Sequence, residues 1–501
     1  MMPKTFILSW NCDKLMIIQY SSEQNVSDDS EESLLSHYGT CIAQYFGKGE
    51  LTFKGGEKAS CKFEVGQLNN GDVVMLYDLT PPFDFRPDLS VSSFEGTTSD
   101  GNKVIANDVS AEINYLPKIP GRPGMWGSVL WREISVQMRE GANINKIHFG
   151  ITNFEFSGTE GETIKEGKKS TRHNFWILPL DIEGATNLSI KKIKNYDEIM
   201  TYISTLNGID VTCEIEASLF EDGDINRIKE IIDHISYLLS VARGTRIQWI
   251  YYNLYNNEDK LVSRTHCNRV TRPYCPLPVI DPRIEGRNET KNFIETAYPI
   301  FLRKMEAYNL DKGLLDAYLE GKAEGNFLQT RGVKLAVAME MLKDVFLTTS
   351  DASLKEFIID EERFETLLYP LCEGIHVALS GLVEEDTLEK LCCRSNWKRL
   401  LCLNRISFRQ ALRDLCRSIN FNPRDDLSQF IHCRDSLVHT GRFYCQTATE
   451  EQKAICEPLP EPVYEYFFLV DFLDRIFLKF FNYSGNYIYG KDLRFERKEL
   501  I

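Results

Sequence analysis

LSQFIHCRDSLVHTG, residues 427–441, decides how the second half of this chain is read. The stretch predicts a helix over Leu427–Thr440 that stops at Thr440-Gly441, a natural C-terminal signal. Arg434, Asp435 and His439 are its chemistry-bearing residues. Arginine offers a fixed fork of donors matched to phosphate oxygens. Histidine exchanges a proton near neutral pH, as an attacking 2′-hydroxyl or a departing 5′-oxygen requires. Asp435 stands one turn before His439 and is expected to orient its ring. Arg434 and His439, five residues apart, lie about 140° apart around an ideal helix. Either the helix ends before the histidine, or two copies of the chain share one site across a symmetric dimer.

Upstream, Arg405, Arg409, Arg413 and Arg417 recur every four residues and form one basic ridge. Like charges at this spacing repel unless an anion or an acidic partner neutralises them. From Arg394 to Arg442, ten Lys or Arg face four Asp, leaving +6, so the rest of a chain of net charge −15 carries −21. Such a basic island, Arg442 included, fits a polyanion such as RNA. The competing reading is a solvated face, or one paired with acidic segments such as Glu384–Glu389. The overall acidity excludes a protein that coats nucleic acid with its whole surface.

Around this motif the pattern is helical. Helices are expected at Glu289–Tyr308, Phe327–Phe346, Leu354–Leu379, Asp386–Leu401, Ser407–Ile419 and Glu461–Phe481, forming an all-helical bundle. The most apolar stretch, Tyr464–Phe481, is broken by Glu465, Asp471, Asp474, Arg475 and Lys479, so it reads as a buried helix rather than a membrane span. The first two hundred residues instead read as strands, including Thr5–Trp10, Leu51–Phe53, Ser60–Val65, Val73–Tyr77, Ile147–Phe156 and Phe175–Leu180. Gly55-Gly56, Asn70-Gly71 and Asp100-Gly101 mark tight turns between antiparallel strands. Pro117–Gly127 reads as a loop. The expectation is an α+β protein. A β-rich domain over residues 1–223, sandwich-like or a twisted antiparallel sheet, comes first. A helix, a hairpin and a Pro-rich connector follow over 224–285, and the helical domain occupies 286–501.

At this point the chain resembles the HEPN domains, helical bundles of which many are metal-independent ribonucleases. Arg434-Asp435-x-x-x-His439 matches their Arg-[polar]-x3-His signature. The region Glu289–Gly490, with Glu340 on its long helix and the ending Asn482–Tyr487, looks most like the ApeA-type branch associated with bacterial anti-phage defence. There too a β-rich domain precedes the bundle. Asp435 departs from the Asn often found in that place and adds a negative charge. The resemblance implies RNA cleavage by transesterification at a site completed by two protomers, with tRNA or another host or phage RNA as substrate. It further implies abortive infection as the setting and a phage-derived trigger acting on the N-terminal domain. Glu340 is a candidate anchor for Arg434. No cofactor and no metal is expected. Two other readings stand beside it: a non-catalytic RNA- or nucleotide-binding module, and a bundle that serves only to dimerise.

Other signals are weaker. Arg227 and His234, with six intervening residues against four, meet a relaxed form of the Arg/His spacing inside an amphipathic helix, where a structural pair is the simpler reading. Gly161–Ser170 misplaces its Lys and Ser for a P-loop. Cys433 beside His432 reads as a small buried hydrophobe. His266, Cys267 and Cys275 lack a fourth zinc ligand, and Trp126, Trp131 and Trp176 are assigned to core packing. Fourteen cysteines, none in a CxxC pair, and no secretory signal at Met1–Trp10 lead to the expectation of a soluble cytoplasmic protein with reduced thiols.

Overall fold

Strand pairing in the N-terminal half starts from its glycine turns. A computed structural model describes residues 6–11, 14–19, 35, 38–79, 90–113, 125–139, 143–166, 169–206, 208–220, 222–275, 277–282, 288–349, 361–384, 406–423, 426–490 and 495–500. A small hairpin, β1 (Phe6–Asn11) with β2 (Lys14–Gln19), is followed by β3 (Cys41–Phe53), β4 (Lys58–Leu68), β5 (Val73–Leu79), β6 (Val91–Thr98), β7 (Lys103–Ile113) and β8 (Met125–Gln137). Gly56, Gly71 and Gly101 hold φ of 82°, 95° and 85° at the β3–β4, β4–β5 and β6–β7 turns, where a side chain would be strained. The loop expected at Pro117–Gly127 already gives way to β8 at Met125.

The long strand β8 organises the sheet. One edge pairs with β7. The other pairs with β5 over Met125–Leu130, and then with a later strand over Glu133–Gln137. Strands β8-β5-β4-β3-β6-β7 thereby close into a six-stranded antiparallel ring. Alternate side chains point inward, as the two-residue period of a strand requires. Phe63, Val65, Phe94, Val104, Trp131 and Val136 are buried there together.

Beyond β8 the same sheet runs open through β9 (Ile144–Thr152), β10 (Glu160–Glu166), β11 (Lys169–Pro179), β12 (Ser189–Lys192), β13 (Val211–Ser218), β14 (Trp249–Asn256) and β15 (Leu261–Cys267). Helix α1 (Tyr196–Leu206) lies between β12 and β13 in sequence. Helix α2 (Ile225–Arg243) is capped by the Asp224 carboxylate at one end and Gly244 at the other. It is tied to the sheet by Asp233, which accepts from Trp249 Nε1 at 2.7 Å, and by Lys229, 3.2 Å from Glu133. Of the two expectations, the twisted antiparallel sheet is what forms: these thirteen strands belong to one sheet, partly rolled into a ring, and not to a sandwich. The hairpin expected over 224–285, β14 with β15, belongs to this same sheet, and the expected helix is the α2 tied to it.

The chain divides into Met1–Glu295 and Thr296–Ile501, inside helix α3 (Glu289–Tyr308) rather than at the Pro-rich connector. The second unit continues through a π-turn at Leu310–Leu314 into α4 (Leu315–Lys322), α5 (Leu328–Thr349), α6 (Glu361–Leu379), α7 (Phe408–Ser418), α8 (Asp426–Thr440), α9 (Tyr444–Thr447), α10 (Glu450–Ile455) and α11 (Pro462–Phe480). The helix expected at Asp386–Leu401 lies outside the described residues. The unit is not wholly helical, because Asn486–Tyr489 (β16) and Glu496–Glu499 (β17) pair as an antiparallel hairpin. Together the units make an α+β protein. Among the described residues, no helix is long and apolar enough to cross a membrane.

Asp471, in α11, is fully buried. Burial lifts its carboxyl from the usual 3.8 to about 6, although Arg475 Nε at 2.9 Å opposes the rise. A carboxyl that binds its proton more tightly when folded stabilises the fold at low pH. That contribution fades as pH climbs from about 4 to 6. Asp471→Asn should therefore lose less stability than wild type between pH 4 and pH 7, measured as the urea midpoint of the helical signal. Parallel profiles would refute this.

Candidate Arg/His site and basic groove

Helix α8 carries the motif, and its packing decides where each side chain goes. Gly332 of α5 lets α8 approach closely: a Cβ there would meet Leu437 and Phe443 side-chain atoms at 3.1–3.2 Å. Leu437 is buried at this contact, and Ala338, Met339 and Leu342 of α5 are buried as well. Glu340, at the edge of that buried stripe, forms an ion pair with Arg434.

Arg434 is held on three sides. Besides Glu340, its guanidinium meets Asp435 Oδ1 at 2.5 Å and lies 4.4 Å from the centre of the Phe408 ring. Lys343 approaches Glu340 at 3.0 Å and so shares that carboxylate. Phe408 and Lys343 were not singled out in the sequence. The only trace of them is Lys343 one turn beyond Glu340 and Phe408 at the head of the arginine ridge.

Asp435 therefore turns to Arg434 rather than to His439, contrary to the expected one-turn pairing. The packing of α8 on α5 holds the Arg434 guanidinium between Glu340 and Asp435 and leaves His439 exposed. His439 is exposed in the last turn of α8, with no hydrogen bond or ion pair among the described residues. The helix continues through Thr440, so the option that it ends before the histidine is excluded. Gly441 follows with φ of 69° and donates its N–H to the Leu437 carbonyl at 3.0 Å. Beyond it, Ser436 Oγ donates to the Arg442 carbonyl at 2.8 Å, fixing the exit of the chain beside His439.

The arginine ridge lines an open groove of about 700 Å³. Arg409, Arg413 and Arg417 of α7 form one wall, and Leu427, Ser428 and Gln429 in the first turn of α8 stand opposite. Arg413 and Arg417 are exposed, and among the described residues only Arg417 of the two is paired with a carboxylate, that of Asp414 at 3.0 Å. Arg405 lies outside the described residues, so the ridge begins at Arg409. Arg442 is exposed in the turn after His439. The groove is at the N-terminal end of α8 and His439 at the other, about 16 Å along the helix axis for eleven residues.

The remaining candidates are structural. Cys433 is fully buried, with its thiol pushed well above the ordinary range by desolvation, and His432 stacks on Tyr444. His234 is buried in α2, and the Arg227 guanidinium lies over the Phe220 ring at 4.1 Å. His266 is buried beside the Tyr45 hydroxyl at 3.1 Å, and desolvation drives its pKa down to about 3. Trp131 is in the ring core, and the Trp126 side chain lies outside the described residues.

One known family is similar to part of this chain. The YopA central domain matches residues 139–275. That stretch covers the open part of the sheet from β9 to β15 with α1 and α2, and it contains none of the residues around Arg434. No curated protein and no solved structure matches the chain.

Proposed function

We propose that the helical unit is a HEPN-type endoribonuclease that works as a homodimer. The observation that carries this reading is the basic groove of Arg409, Arg413 and Arg417, on the helix preceding the one that carries Arg434 and His439. The groove holds the RNA backbone through guanidinium–phosphate contacts. Arg434, oriented by Glu340 and Phe408, stabilises the charge that builds on the pentacovalent phosphorus.

His439 removes the 2′-hydroxyl proton as that oxygen attacks phosphorus. A second histidine, from the other protomer, gives a proton to the departing 5′-oxygen. The products are a 2′,3′-cyclic phosphate and a 5′-hydroxyl. Two copies are invoked because Arg434 packs toward α5 while His439 faces outward on the same helix. An apolar stripe is available for such pairing: Leu367, Leu371 and Ile375, spaced four apart on α6, are more than half exposed.

Incubating the purified chain with total bacterial RNA in EDTA tests the reading. Discrete cuts bearing 2′,3′-cyclic phosphate are expected. Strict dependence on Mg²⁺, or no cuts even with phage lysate added as a source of trigger, would refute it. The family resemblance extends the proposal to anti-phage defence in the bacterial cytoplasm, with the β-rich unit as the sensing part.

A specific observation favours the second reading, a non-catalytic RNA- or nucleotide-binding module. Arg434 already faces two carboxylates, Glu340 and Asp435, so its charge is neutralised before any phosphate arrives. Under either reading Arg409→Glu should weaken RNA binding and flatten its dependence on salt, because phosphate contacts release counterions. Filter binding across a salt series checks this, and an unchanged slope would take the groove out of the RNA path. Binding that persists without any cleavage would favour the module over the enzyme.

A further inference from the structure

A second pocket, of about 670 Å³, lies in the first unit and has no part in the Arg/His chemistry. Its wall includes five consecutive residues of β11, Arg172 to Trp176, together with Phe156, Lys192 at the end of β12, and Tyr196 at the start of α1. A strand normally turns neighbouring side chains to opposite faces. Here the register slips: Glu160 pairs with Ile177 but Glu162 pairs with His173, so β11 spends two extra residues on the same length of β10. Phe175, within the slip, adopts φ of 56°, a left-handed backbone that is costly for a bulky side chain. The bulge brings the His173 and Trp176 rings to 4.3 Å, although residues three apart in a regular strand face opposite ways.

Three aromatic rings surround one ammonium group. Lys192 Nζ lies 4.3 Å from the centre of the Tyr196 ring, 5.6 Å from Phe156 and 5.9 Å from Trp176. It has no hydrogen bond or ion pair among the described residues, and desolvation lowers its pKa against the weaker opposing pull of the Asp197 and Glu155 carboxylates. Trp176 is only 6% exposed, yet its Nε1–H has no acceptor. Two donors on one pocket wall thus lack an acceptor. Of the carboxylates in the wall, Glu155 is engaged by Arg243 at 3.2 Å and by the Tyr274 hydroxyl at 2.7 Å, which leaves Asp197 at the mouth of α1.

We propose that this pocket binds a small anion carried on a flat aromatic ring. The anionic group accepts from Lys192 Nζ and Trp176 Nε1, Arg172 adds a second positive charge, and the ring packs among Phe156, Phe175 and Tyr196. The volume suits a ligand of this size. Except for Pro282, the lining falls inside the stretch similar to the YopA central domain.

The test titrates the full chain with AMP, which has both ring and charge, with adenosine, which has the ring, and with inorganic phosphate, which has the charge. Indole-3-acetate serves as a carboxylate counterpart of AMP. Calorimetry should show saturable binding of AMP or indole-3-acetate, at least tenfold tighter than adenosine or phosphate. Lys192→Gln and Trp176→Phe should each weaken it about tenfold, with the melting temperature of the unliganded protein held within a few degrees. No saturable binding of either ring-bearing anion overturns the proposal. So does adenosine binding as tightly as AMP, or binding that neither substitution alters.

Discussion

Replacing His439 by Ala is expected to lower RNA cleavage by about 10²–10⁴-fold, the range for loss of a general acid or base, with the melting temperature unchanged. The second half of that expectation comes from its surroundings. His439 is exposed and has no partner among the described residues, so its removal takes away no packing. Substitutions at such positions usually stay within about 0.5 kcal/mol. Arg434→Ala should cost about 10²–10³ in rate, as expected for a group that stabilises developing charge. It should also lower stability, because Glu340 and the face of Phe408 lose their partner. The two variants therefore separate chemistry from folding. Asp435→Asn supplies a third arm: it removes one of the two carboxylates on Arg434 and should raise cleavage. Cleavage by His439→Ala at the wild-type rate would end the enzymatic assignment. If Asp435→Asn fell to the level of Arg434→Ala, Asp435 would be a required group and not a brake.

What the sequence disclosed and what it hid divide along physical lines. The three glycine turns of the ring were legible because positive φ is a local demand that Gly-Gly, Asn-Gly and Asp-Gly meet. Helix α3 runs over the span expected, Glu289–Tyr308, and α8 starts one residue earlier than expected and ends where Gly441 turns. Closure of β7 onto β8 left no such trace. It depends on the register between residues far apart in the chain, interrupted by shifts around Asp108 and Val109. The pocket around Lys192 was hidden for the same reason. Its rings come from β11, from the segment after β9 and from α1, and a register slip rather than any motif brings them together. In the Arg/His motif the residues were visible but their partners were not. Asp435 had two side chains within reach along the chain, Arg434 beside it and His439 one turn on. Only the packing of α8 on α5, which leaves His439 exposed, settled the choice.

Lys322→Met should destabilise the helical unit by about 3–5 kcal/mol, the cost of leaving one charge of a buried pair uncompensated. Lys322 ends α4, and Asp474 lies in the middle of α11. Nζ reaches the two carboxylate oxygens at 2.7 and 2.8 Å, with both side chains only 6% exposed. The Tyr318 hydroxyl also donates to Asp474 and cannot replace a full positive charge. Met keeps most of the volume of Lys, so the loss reports the stranded carboxylate and not a cavity. Removing both charges, with Lys322→Met and Asp474→Leu together, should recover part of the loss while leaving Tyr318 Oη without its acceptor. The midpoint of denaturant unfolding, followed by the helical signal, measures both variants. A single substitution costing under about 1 kcal/mol, below the range for a broken buried pair, would mean that water reaches Asp474. The pair also bears on the site. Arg331 of α5 donates to the Lys322 carbonyl at 3.0 Å and to the Tyr466 hydroxyl of α11. The α4–α11 clamp thereby holds the helix that presents Glu340. Loosening it should let Arg434 drift from its anchor, so Lys322→Met should lower RNA cleavage at temperatures where the unit is still folded.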